Sequence, residues 1–442
     1  MPRRVFISFL GTSNYQPTRY VVDETDEADT HPIRFVQEAI AEKFCYSYGD
    51  DDAIYIFTTE GALSNWNDGN YKNFATGAEE WYEGLKTGLG KLSLQCLVEN
   101  VLIPDGKSTA EIWGIFKIVY ERLEEGDILI FDITHGFRSL PMLNMVLINY
   151  AKLLKNISIS GIYYGAFDAQ YHKDESSYAP IWDLTDFQVV QEWSNNANIF
   201  LKTGNAMPLA RLMAGSSFDS LRKNLVDFSK FTLVNRGLDI YDGSPMVALH
   251  EELSREIVDT DTSLNALKPI LIRIKDEFKH YQENSTINGF LAVRWCIHNG
   301  LIQQAATLLE EFIVTFTMVE IGESQYLKDL VRRNTVSSAL TIGADTPFNY
   351  VQVSEKNVGD GADLELRTWQ EKVLDTIRNL PYKKKLGQLL NDLKISIRND
   401  INHAGFREKP RDFDSFEVSI KKRFKETRKL INQLKSIDLP PI

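Results

Sequence analysis

Residues 397–405, with the sequence IRNDINHAG, place Arg398 and His403 five positions apart at the end of a segment with a helical apolar pattern. Cleavage of RNA without a metal needs a cation on the phosphate as charge develops. It also needs a group that moves a proton to or from the 2'-hydroxyl or the leaving 5' oxygen. Arg398 and His403 can supply these two functions, although the same spacing also arises by chance in many helices.

The geometry of a regular helix sets how this pair could act. Asn399 and His403 would share one face, whereas Arg398 would sit about 140° from His403, so that arginine and histidine would flank a groove. Two copies facing each other across a dimer could close such a groove. We expect Gly405 to end the helix, and the helix dipole favours a charged His403 in the last turn, which suits a general acid.

The distribution of charge bears on an RNA partner. The net charge is -12, which by itself disfavours contacts with phosphates. Residues 380–442, however, hold 15 Lys and Arg against 8 Asp and Glu, a balance of +7. This segment could bind RNA, and the alternative is a solvated, charged helix face.

Two loops in the first 190 residues carry groups that bind anions. The first, Gly11-Thr12-Ser13-Asn14, offers two hydroxyls, an amide and a glycine that lets the backbone approach a ligand closely. Such a loop can cradle phosphate or ribose oxygens. The same residues are also ordinary turn chemistry.

The second loop, residues 132–139 (DITHGFRS), precedes a helix that should run to about Lys155. The backbone N-H groups and the positive end of that helix would form an anion site, surrounded by donors from four side chains. These are Thr134, His135, Arg138 and Ser139. In the alternative interpretation, Asp132 and Thr134 cap the helix and His135 is a packed polar residue.

Several classes of site are disfavoured. Gly106-Lys107-Ser108 is not a phosphate-binding P-loop, because Val101 stands where its first glycine should be, and no GxGxxG follows the first strand. The three cysteines lie far apart without CxxC or His/Cys spacing, which argues against a disulfide framework and a zinc site and fits a reducing compartment. We therefore expect neither a metal nor a cofactor.

Strands must position the two loops. Short apolar runs predict strands at 5–10, 53–58, 94–103, 128–133 and 157–164. Their alternation with amphipathic stretches predicts βαβ units and a mostly parallel sheet. Such sheets bind ligands outside the carboxyl ends of their strands, where both loops fall.

The remainder of the chain has helical patterns from about Met207 onward. Asn284-Ser285 is expected to cap a helix at 289–298, another helix should occupy 301–319, and the stretch 339–366 predicts a long loop or insertion. We expect domains at 1–200 and 201–442. Without a signal peptide or a run of about 18 apolar residues, the protein is expected to be cytoplasmic and to avoid membranes.

Four motifs occur together and in order: FLGTSNY at 9–15, IPDG at 103–106, DITHG at 132–136, and Arg398-Asn399 with His403. With these four motifs the chain resembles the ancillary ribonucleases of type III CRISPR systems that carry an Asp-x-Thr-His-Gly motif. The resemblance covers nearly the whole chain. The resemblance implies an α/β Rossmann-like N-terminal domain, called CARF, plus an all-α C-terminal HEPN domain. The 339–366 insertion departs from the simplest members.

The resemblance also implies a division of labour. The CARF domain would bind cyclic oligoadenylate, with cyclic tetra-adenylate expected, as an allosteric activator at the two-fold axis of a homodimer or higher homo-oligomer. The residues implied to line that pocket are Gly11, Thr12, Ser13, Asn14, Thr134, His135, Gly136, Phe137, Arg138 and Ser139.

For the HEPN domain the resemblance implies metal-independent cleavage of single-stranded RNA. Arg398 and His403 would form a composite catalytic site, with Asn399 orienting them. The RNA 2'-hydroxyl would attack the adjacent phosphate and leave a 2',3'-cyclic phosphate and a 5'-hydroxyl.

Two alternatives remain open. The chain could be a nucleotide-responsive regulator that binds nucleic acid through its basic segment without cutting it. It could also be a ring nuclease that degrades its own activator in the N-terminal domain, assisted by His135 or Tyr163.

Overall fold

The computed structural model describes residues 2–22, 30–72, 77–135, 140–173, 176–215, 218–255, 262–342, 360–403, 406, 410–435 and 439–441. The chain forms two compact units, Met1–Val189 and Val190–Ile442. In the described part of the chain, no helix is long and apolar enough to cross a membrane.

The first unit is an α/β structure. Its described strands are β1 Arg4–Leu10, β2 Arg19–Val21, β3 Ala53–Thr58, β4 Gly69–Lys72, β5 Glu79–Tyr82, β6 Leu97–Leu102, β7 Ile128–Asp132, β8 Ser158–Gly165, β9 Tyr171–Lys173 and β10 Ser176–Asp183. The five strands predicted from apolar runs are confirmed. They are β1, β3, β6, β7 and β8, and all their pairings with one another are parallel.

The strand order of the main sheet is β2-β10-β8-β7-β1-β3-β6. From β1 the chain builds outward through β3 to β6, then returns to the other side of β1 to form β7 and β8. The strand order therefore reverses between β1 and β7. A crevice opens at such a reversal, outside the carboxyl ends of the two strands.

Helices cover both faces of this sheet. They are α1 Val36–Phe44, α2 Leu63–Trp66, α3 Leu85–Lys91, α4 Thr109–Glu121 and α5 Leu140–Lys155. Alternate residues of β1 enter two different cores, with Phe6 packing toward α1 and α3 and Ile7 packing toward α4 and α5. Because both faces are covered, β1 reads as a continuous apolar run instead of an alternating one.

The Gly106-Lys107-Ser108 triplet has an ordinary structural role. The Ser108 side chain accepts a hydrogen bond from the Glu111 backbone N-H and so caps α4, while Lys107 pairs with Asp105 at 2.6 Å. This is the usual chemistry of a helix start.

The second unit is helical in its described residues. Its helices are α6 Thr185–Thr203, which begins in the first unit, α7 Met207–Leu212, α8 Asp219–Leu233, α9 Gly237–Asp242, α10 Ser244–Ser254, α11 Thr262–Lys275, α12 Thr286–His298, α13 Ile302–Glu320, α14 Leu330–Thr341, α15 Asp360–Arg378, α16 Lys383–Asn391, α17 Asn399–Asn402 and α18 Phe413–Lys435. A π-helical segment, Asp392–Arg398, joins α16 to α17.

The helical region starts earlier than the sequence predicts. Helix α6 begins at Thr185, whereas the sequence predicts helices only from about Met207. Its helical pattern is hard to recognise in the sequence because its exposed sides are rich in Asn and Gln. Trp193, Ala197 and Phe200, at spacings of four and three, form its buried apolar face. Ser285 caps α12 as predicted, and the centre of the 339–366 stretch lies outside the described residues.

Helix α12 separates two cores within this unit. Phe290 and Val293 pack with α13, α14, α16 and α18, whereas Leu291 and Trp295 pack with α6, α8 and α11. Leu393 and Ile397, four residues apart, anchor the π-helical segment in the first of these cores. This anchoring fixes the position of Arg398, which follows directly.

Candidate functional site

A cavity of about 210 Å³ opens at the strand reversal in the first unit; we call it the His135 cavity. It lies at the carboxyl ends of β1, β3, β6 and β7. Its lining residues are Phe9, Leu10, Gly11, Thr12, Ser13, Tyr15, Phe57, Thr59, Ile103, Thr134 and His135.

A buried carboxylate holds the two loops of this cavity together. Asp132 is fully buried at the end of β7 and accepts hydrogen bonds from Ser8 Oγ of β1 at 2.6 Å, and from the Thr134 N-H and Oγ1 at 2.9 and 2.5 Å. Thr134 Oγ1 in turn accepts from the Gly165 N-H at 2.7 Å. Asp132 thus links β1, β7 and β8, and it turns the chain toward His135.

The loop after β1 is held from behind. Asn65 Nδ2 donates to the carbonyls of Gly11 and Ser13, both at 2.9 Å, and Arg34 Nε donates to the Tyr15 carbonyl at 3.1 Å. Thr12 and Ser13, whose side chains carry hydroxyls, line the cavity. The loop is therefore a preformed surface that can bind a polar ligand.

His135 and Tyr15 give the cavity uncharged ring donors. Their ring centroids lie 4.5 Å apart, and His135 Nε2 is buried without a hydrogen-bond partner among the described residues. Burial lowers the pKa of His135, against the opposing effect of Asp132, and burial raises the pKa of Tyr15 to about 12. Both rings are therefore neutral near pH 7.

Most of the predicted ligand residues that can be examined meet in this cavity. Gly11, Thr12, Ser13, Thr134 and His135 line it, whereas Asn14 does not. The remaining predicted residues, Gly136, Phe137, Arg138 and Ser139, lie outside the described residues. The alternative in which Asp132 and Thr134 cap α5 stays a prediction, because the residues between His135 and Leu140, where the described part of α5 starts, lie outside the described residues.

Some lining residues were not predicted from the sequence. Thr59 and Ile103 line the cavity and directly follow the ends of β3 and β6. The convergence of parallel strand ends could have identified both. Tyr163, named for a ring-nuclease role, is buried and stacks on Phe44 at 4.1 Å, outside the lining of this cavity.

The second unit contains a polar cavity of about 430 Å³, which we call the Arg398 cavity. Three cationic side chains line it, Arg333 from α14, Lys394 from the π-helical segment and Arg398. Asn399 and Asn402 of α17 also line it, as do Glu310 and Glu311 of α13, which form ion pairs with Arg398 and Arg333. Lys394 donates from Nζ to Ser337 Oγ.

The helix that carries Arg398 is not a regular α-helix. It is π-helical from Asp392 to Arg398 and becomes α-helical at Asn399, a change found often at functional sites. The His403 N-H donates to the Asn399 carbonyl at 3.2 Å, so these two residues keep the expected one-turn separation. The helix ends at Asn402, before the predicted stop at Gly405, which lies outside the described residues.

The two predicted catalytic side chains are not brought together within one chain. Arg398 and Asn399 line the Arg398 cavity, while His403 is exposed at the C-cap of α17 and is not part of the lining. The cavity therefore contains Arg398, which can bind a phosphate, but not His403, which is expected to transfer the proton.

Arg398 is paired with a buried carboxylate. Its Nη1 donates to Glu310 Oε1 at 2.8 Å, and the Glu310 side chain is only 5% exposed, against 36% for Arg398. Glu310 Oε2 has no hydrogen-bond partner among the described residues. One ion pair thus holds the guanidinium at the cavity wall.

Beyond the cavity, helix α18 presents a basic stripe. Lys422, Lys425 and Lys429 are exposed at spacings of three and four, which puts them on one face of the helix. In the described residues no group of three or more His, Cys, Asp or Glu is arranged to hold a metal ion.

Residues 5–168 match the family described as the CARF domain of the CRISPR system endoribonuclease Csx1. Residues 189–285 match the second domain of the CRISPR-associated protein MJ1674. The first match covers β1 through β8, and so it includes every residue that lines the His135 cavity.

The chain is also similar to a full-length relative, the CRISPR-associated protein MJ1674 of Methanocaldococcus jannaschii. The two are 23% identical over 342 residues, which cover 77% of this chain and 46% of the relative. The matched region thus spans about half the length of that relative.

We predict that Asp132→Ala destabilises the first unit by about 2–4 kcal/mol, because it leaves the buried donors of Ser8 and Thr134 without an acceptor. Asp132→Asn, which keeps one carbonyl oxygen and the same size, should cost less than half as much. Urea denaturation measures both. Equal stability of the alanine variant and the wild type would contradict the bridging role.

We predict that Arg398→Ala destabilises the second unit by about 1–3 kcal/mol, because Glu310 is left buried and unpaired. Adding Glu310→Gln should restore most of the loss, since a neutral amide is cheaper to bury. Urea denaturation of the single and double variants tests this. If the double variant were no more stable than the single one, the ion pair would not be what fixes Arg398.

Proposed function

We propose, from the CARF match of the first unit and the CRISPR-associated relative, that this chain is a cyclic-oligoadenylate-activated endoribonuclease of type III CRISPR antiviral defence. It cuts single-stranded RNA without a metal, in its second unit. The observation that carries this proposal is the Arg398 cavity, in which Arg333, Lys394 and Arg398 converge beside Asn399.

The His135 cavity supports the sensor role. It is lined by Thr12, Ser13 and His135, which carry hydroxyl and imidazole groups, with Phe9 and Phe57 as apolar walls. These groups suit the ribose and base of a nucleotide. Its volume of about 210 Å³ is small beside the 300–1,000 Å³ of typical ligand pockets, so a ring of several nucleotides must extend beyond one copy.

An exposed apolar face in the first unit supports a homodimer. Trp113 of α4 and Val146, Tyr150, Leu153 and Leu154 of α5 are exposed, with Leu153 at 81%. Contiguous apolar surfaces of this kind mark protein interfaces. We propose that a second copy of the chain covers this apolar face. A ring ligand is too large for one His135 cavity, and Arg398 of one copy needs His403 of another copy to complete the catalytic pair.

The proposed reaction follows from the groups available. The RNA 2'-hydroxyl oxygen forms a bond to the adjacent phosphorus, the bond from phosphorus to the 5' oxygen breaks, and the products carry a 2',3'-cyclic phosphate and a 5'-hydroxyl. Arg398 stabilises the charge that develops on the phosphate, and His403 moves the proton that the 2'-hydroxyl loses to the leaving 5' oxygen. Asn399 orients the pair, and RNA reaches the cavity along the lysines of α18.

The ion pair between Arg398 and Glu310 favours a second candidate, a regulator that binds RNA without cutting it. If Glu310 keeps Arg398 from phosphate in all states, the exposed lysines of α18 still bind RNA. Salt-dependent RNA binding without cleavage would support that function. The Nε2 of His135, which has no hydrogen-bond partner among the described residues, favours a third candidate, a ring nuclease, which would convert cyclic oligoadenylate to linear products in the His135 cavity.

We predict that Arg398→Ala and His403→Ala each lower RNA cleavage by about 100-fold or more, because each removes one of the two groups that act on the transition state. Cleavage of fluorescent single-stranded RNA is measured in EDTA with saturating cyclic tetra-adenylate, and product ends are assayed for the 2',3'-cyclic phosphate. Arg398→Ala is repeated with Glu310→Gln to separate chemistry from stability.

Two matched variants serve as controls in that assay. Arg378 and His298 are exposed in the last turns of α15 and α12, and Arg378→Ala and His298→Ala should keep full activity. Retention of wild-type cleavage by Arg398→Ala or His403→Ala would exclude the proposed site.

We predict that the affinity for cyclic tetra-adenylate is constant from pH 6.5 to 8. Since burial lowers the pKa of His135 below its ordinary value, the imidazole is already neutral across this range and becomes charged only at lower pH. Calorimetric titration of the wild type and His135→Gln measures this. If binding required a charged His135, the affinity would instead fall by up to about tenfold for each unit by which the pH rises.

A further inference from the structure

We propose that Lys394 binds the RNA phosphate next to the one that is cleaved, so that the Arg398 cavity holds two successive phosphates of a single strand. Lys394 is then a positioning residue, because it holds the strand and does not act on the reacting atoms. The inference deepens the proposed function and rests on it, since it assigns a second phosphate subsite beside Arg398.

The charged end of Lys394 lies at the wall of the Arg398 cavity. Lys394 is partly exposed and lines the cavity, and its Nζ donates to the Oγ of Ser337, which lines the same cavity. An ammonium group has three donor hydrogens, and this contact uses one of them. Lys394 can therefore donate to an anion in the cavity without giving up its contact with Ser337.

The ion pairs of the cavity single out Lys394 among its three cations. Arg398 pairs with Glu310 at 2.8 Å, and Arg333 pairs with Glu311 at 2.6 Å. Lys394 instead contacts a neutral hydroxyl and has no carboxylate partner among the described residues. Three cations and two carboxylates line the cavity, which leaves one positive charge. An anion meets that charge at Lys394 without displacing a carboxylate.

The cavity is large enough for more than one phosphate. Its volume of about 430 Å³ lies within the 300–1,000 Å³ of pockets that hold whole ligands of drug size. A single phosphate group fills only a small part of such a space. A strand that enters the cavity therefore brings a neighbouring phosphate with it.

The two cations of the π-helical segment are held toward different helices. Lys394 and Arg398 are four residues apart and line the cavity together. Lys394 contacts Ser337 of α14, whereas Arg398 contacts Glu310 of α13. Cations that are held apart in this way suit two successive phosphates better than one. Since phosphate contacts fix the register of a strand without reading its bases, the subsite positions RNA of any sequence.

The experiment removes the charge of one phosphate at a time. The substrate is a 2'-O-methyl RNA strand with a single 2'-hydroxyl, so that only one phosphate can be cleaved. The phosphate on its 5' or its 3' side is replaced by an uncharged methylphosphonate. With the full chain and saturating cyclic tetra-adenylate, we expect the replacement on one of the two sides to lower kcat/KM about tenfold, the effect of one charge-assisted hydrogen bond.

Variants of Lys394 test whether this residue causes that effect. Lys394→Met should lower kcat/KM about tenfold on the unmodified strand, and the methylphosphonate should then cause no further loss, because both changes remove the same contact. Lys394→Arg should keep the wild-type rate and the wild-type sensitivity to the methylphosphonate. A purely structural effect of Lys394→Met would lower the rates on both strands alike.

Lys223→Met is the matched control. Lys223 is exposed on α8, whose buried residues Leu221 and Leu225 belong to the other core of the second unit, and this variant should behave as the wild type. Two results would overturn the inference. One is additive losses from Lys394→Met and the methylphosphonate, and the other is no loss in the wild type with the methylphosphonate on either side.

A binding measurement separates this inference from the proposed function. Fully 2'-O-methylated trinucleotides, which cannot be cleaved, are titrated into the wild type and Lys394→Met, with two phosphates or with one replaced by a methylphosphonate. A loss of affinity in the wild type that is absent in Lys394→Met supports the subsite even if no RNA is cut, in which case the nuclease proposal fails alone. Cleavage without this difference in either assay removes the subsite and leaves the nuclease.

Discussion

A carboxylate inside a protein is stable only where hydrogen-bond donors or a cation meet it, and two such carboxylates position both candidate sites. Asp132 draws Ser8 and Thr134 to one point and so fixes where the loops after β1 and β7 meet. Glu310, buried on α13, fixes the guanidinium of Arg398 at the wall of its cavity. In each unit a buried carboxylate must be met by hydrogen-bond donors or a cation, and the residues that meet it position the candidate site.

The ion pair between Arg398 and Glu310 also suggests where regulation can act. A phosphate that binds Arg398 would compete with Glu310, so this ion pair would hold back the proposed nuclease site until the competition is shifted. An activator shifts it only by binding the competent arrangement more tightly than the resting one. A change at the junction between the π-helical segment and α17 would move Arg398 relative to Glu310, since Leu393 and Ile397 anchor the segment in the core.

The parallel part of the first unit's sheet could be predicted from the sequence because its strands carry apolar runs, which in β1, β3 and β7 are buried at nearly every residue. The strands β2, β9 and β10 could not, since short strands such as Arg19–Val21 and Tyr171–Lys173 carry no such run. Helix α6 was not predicted from the sequence for a related reason, because its single narrow apolar face is surrounded by Asn and Gln residues.

The residues of the candidate sites were predictable where they are adjacent in sequence. Gly11, Thr12 and Ser13 follow one strand, and Thr134 and His135 follow another, so strand order alone brings them together. Glu310 and Arg333 come from other helices and meet Arg398 only through tertiary packing. The π-helical segment could not be foreseen either, since a regular helix was the natural assumption for residues 392–403.

We propose that nucleotide binding in the first unit switches on RNA cleavage in the second. To test this, the purified protein is incubated with fluorescent single-stranded RNA in EDTA, alone and with cyclic tri-, tetra- or hexa-adenylate. We expect cleavage that appears with one ring, cyclic tetra-adenylate, and little cleavage without it. Absence of cleavage with every ring would contradict the nuclease claim, and equal cleavage with and without the rings would contradict the sensor.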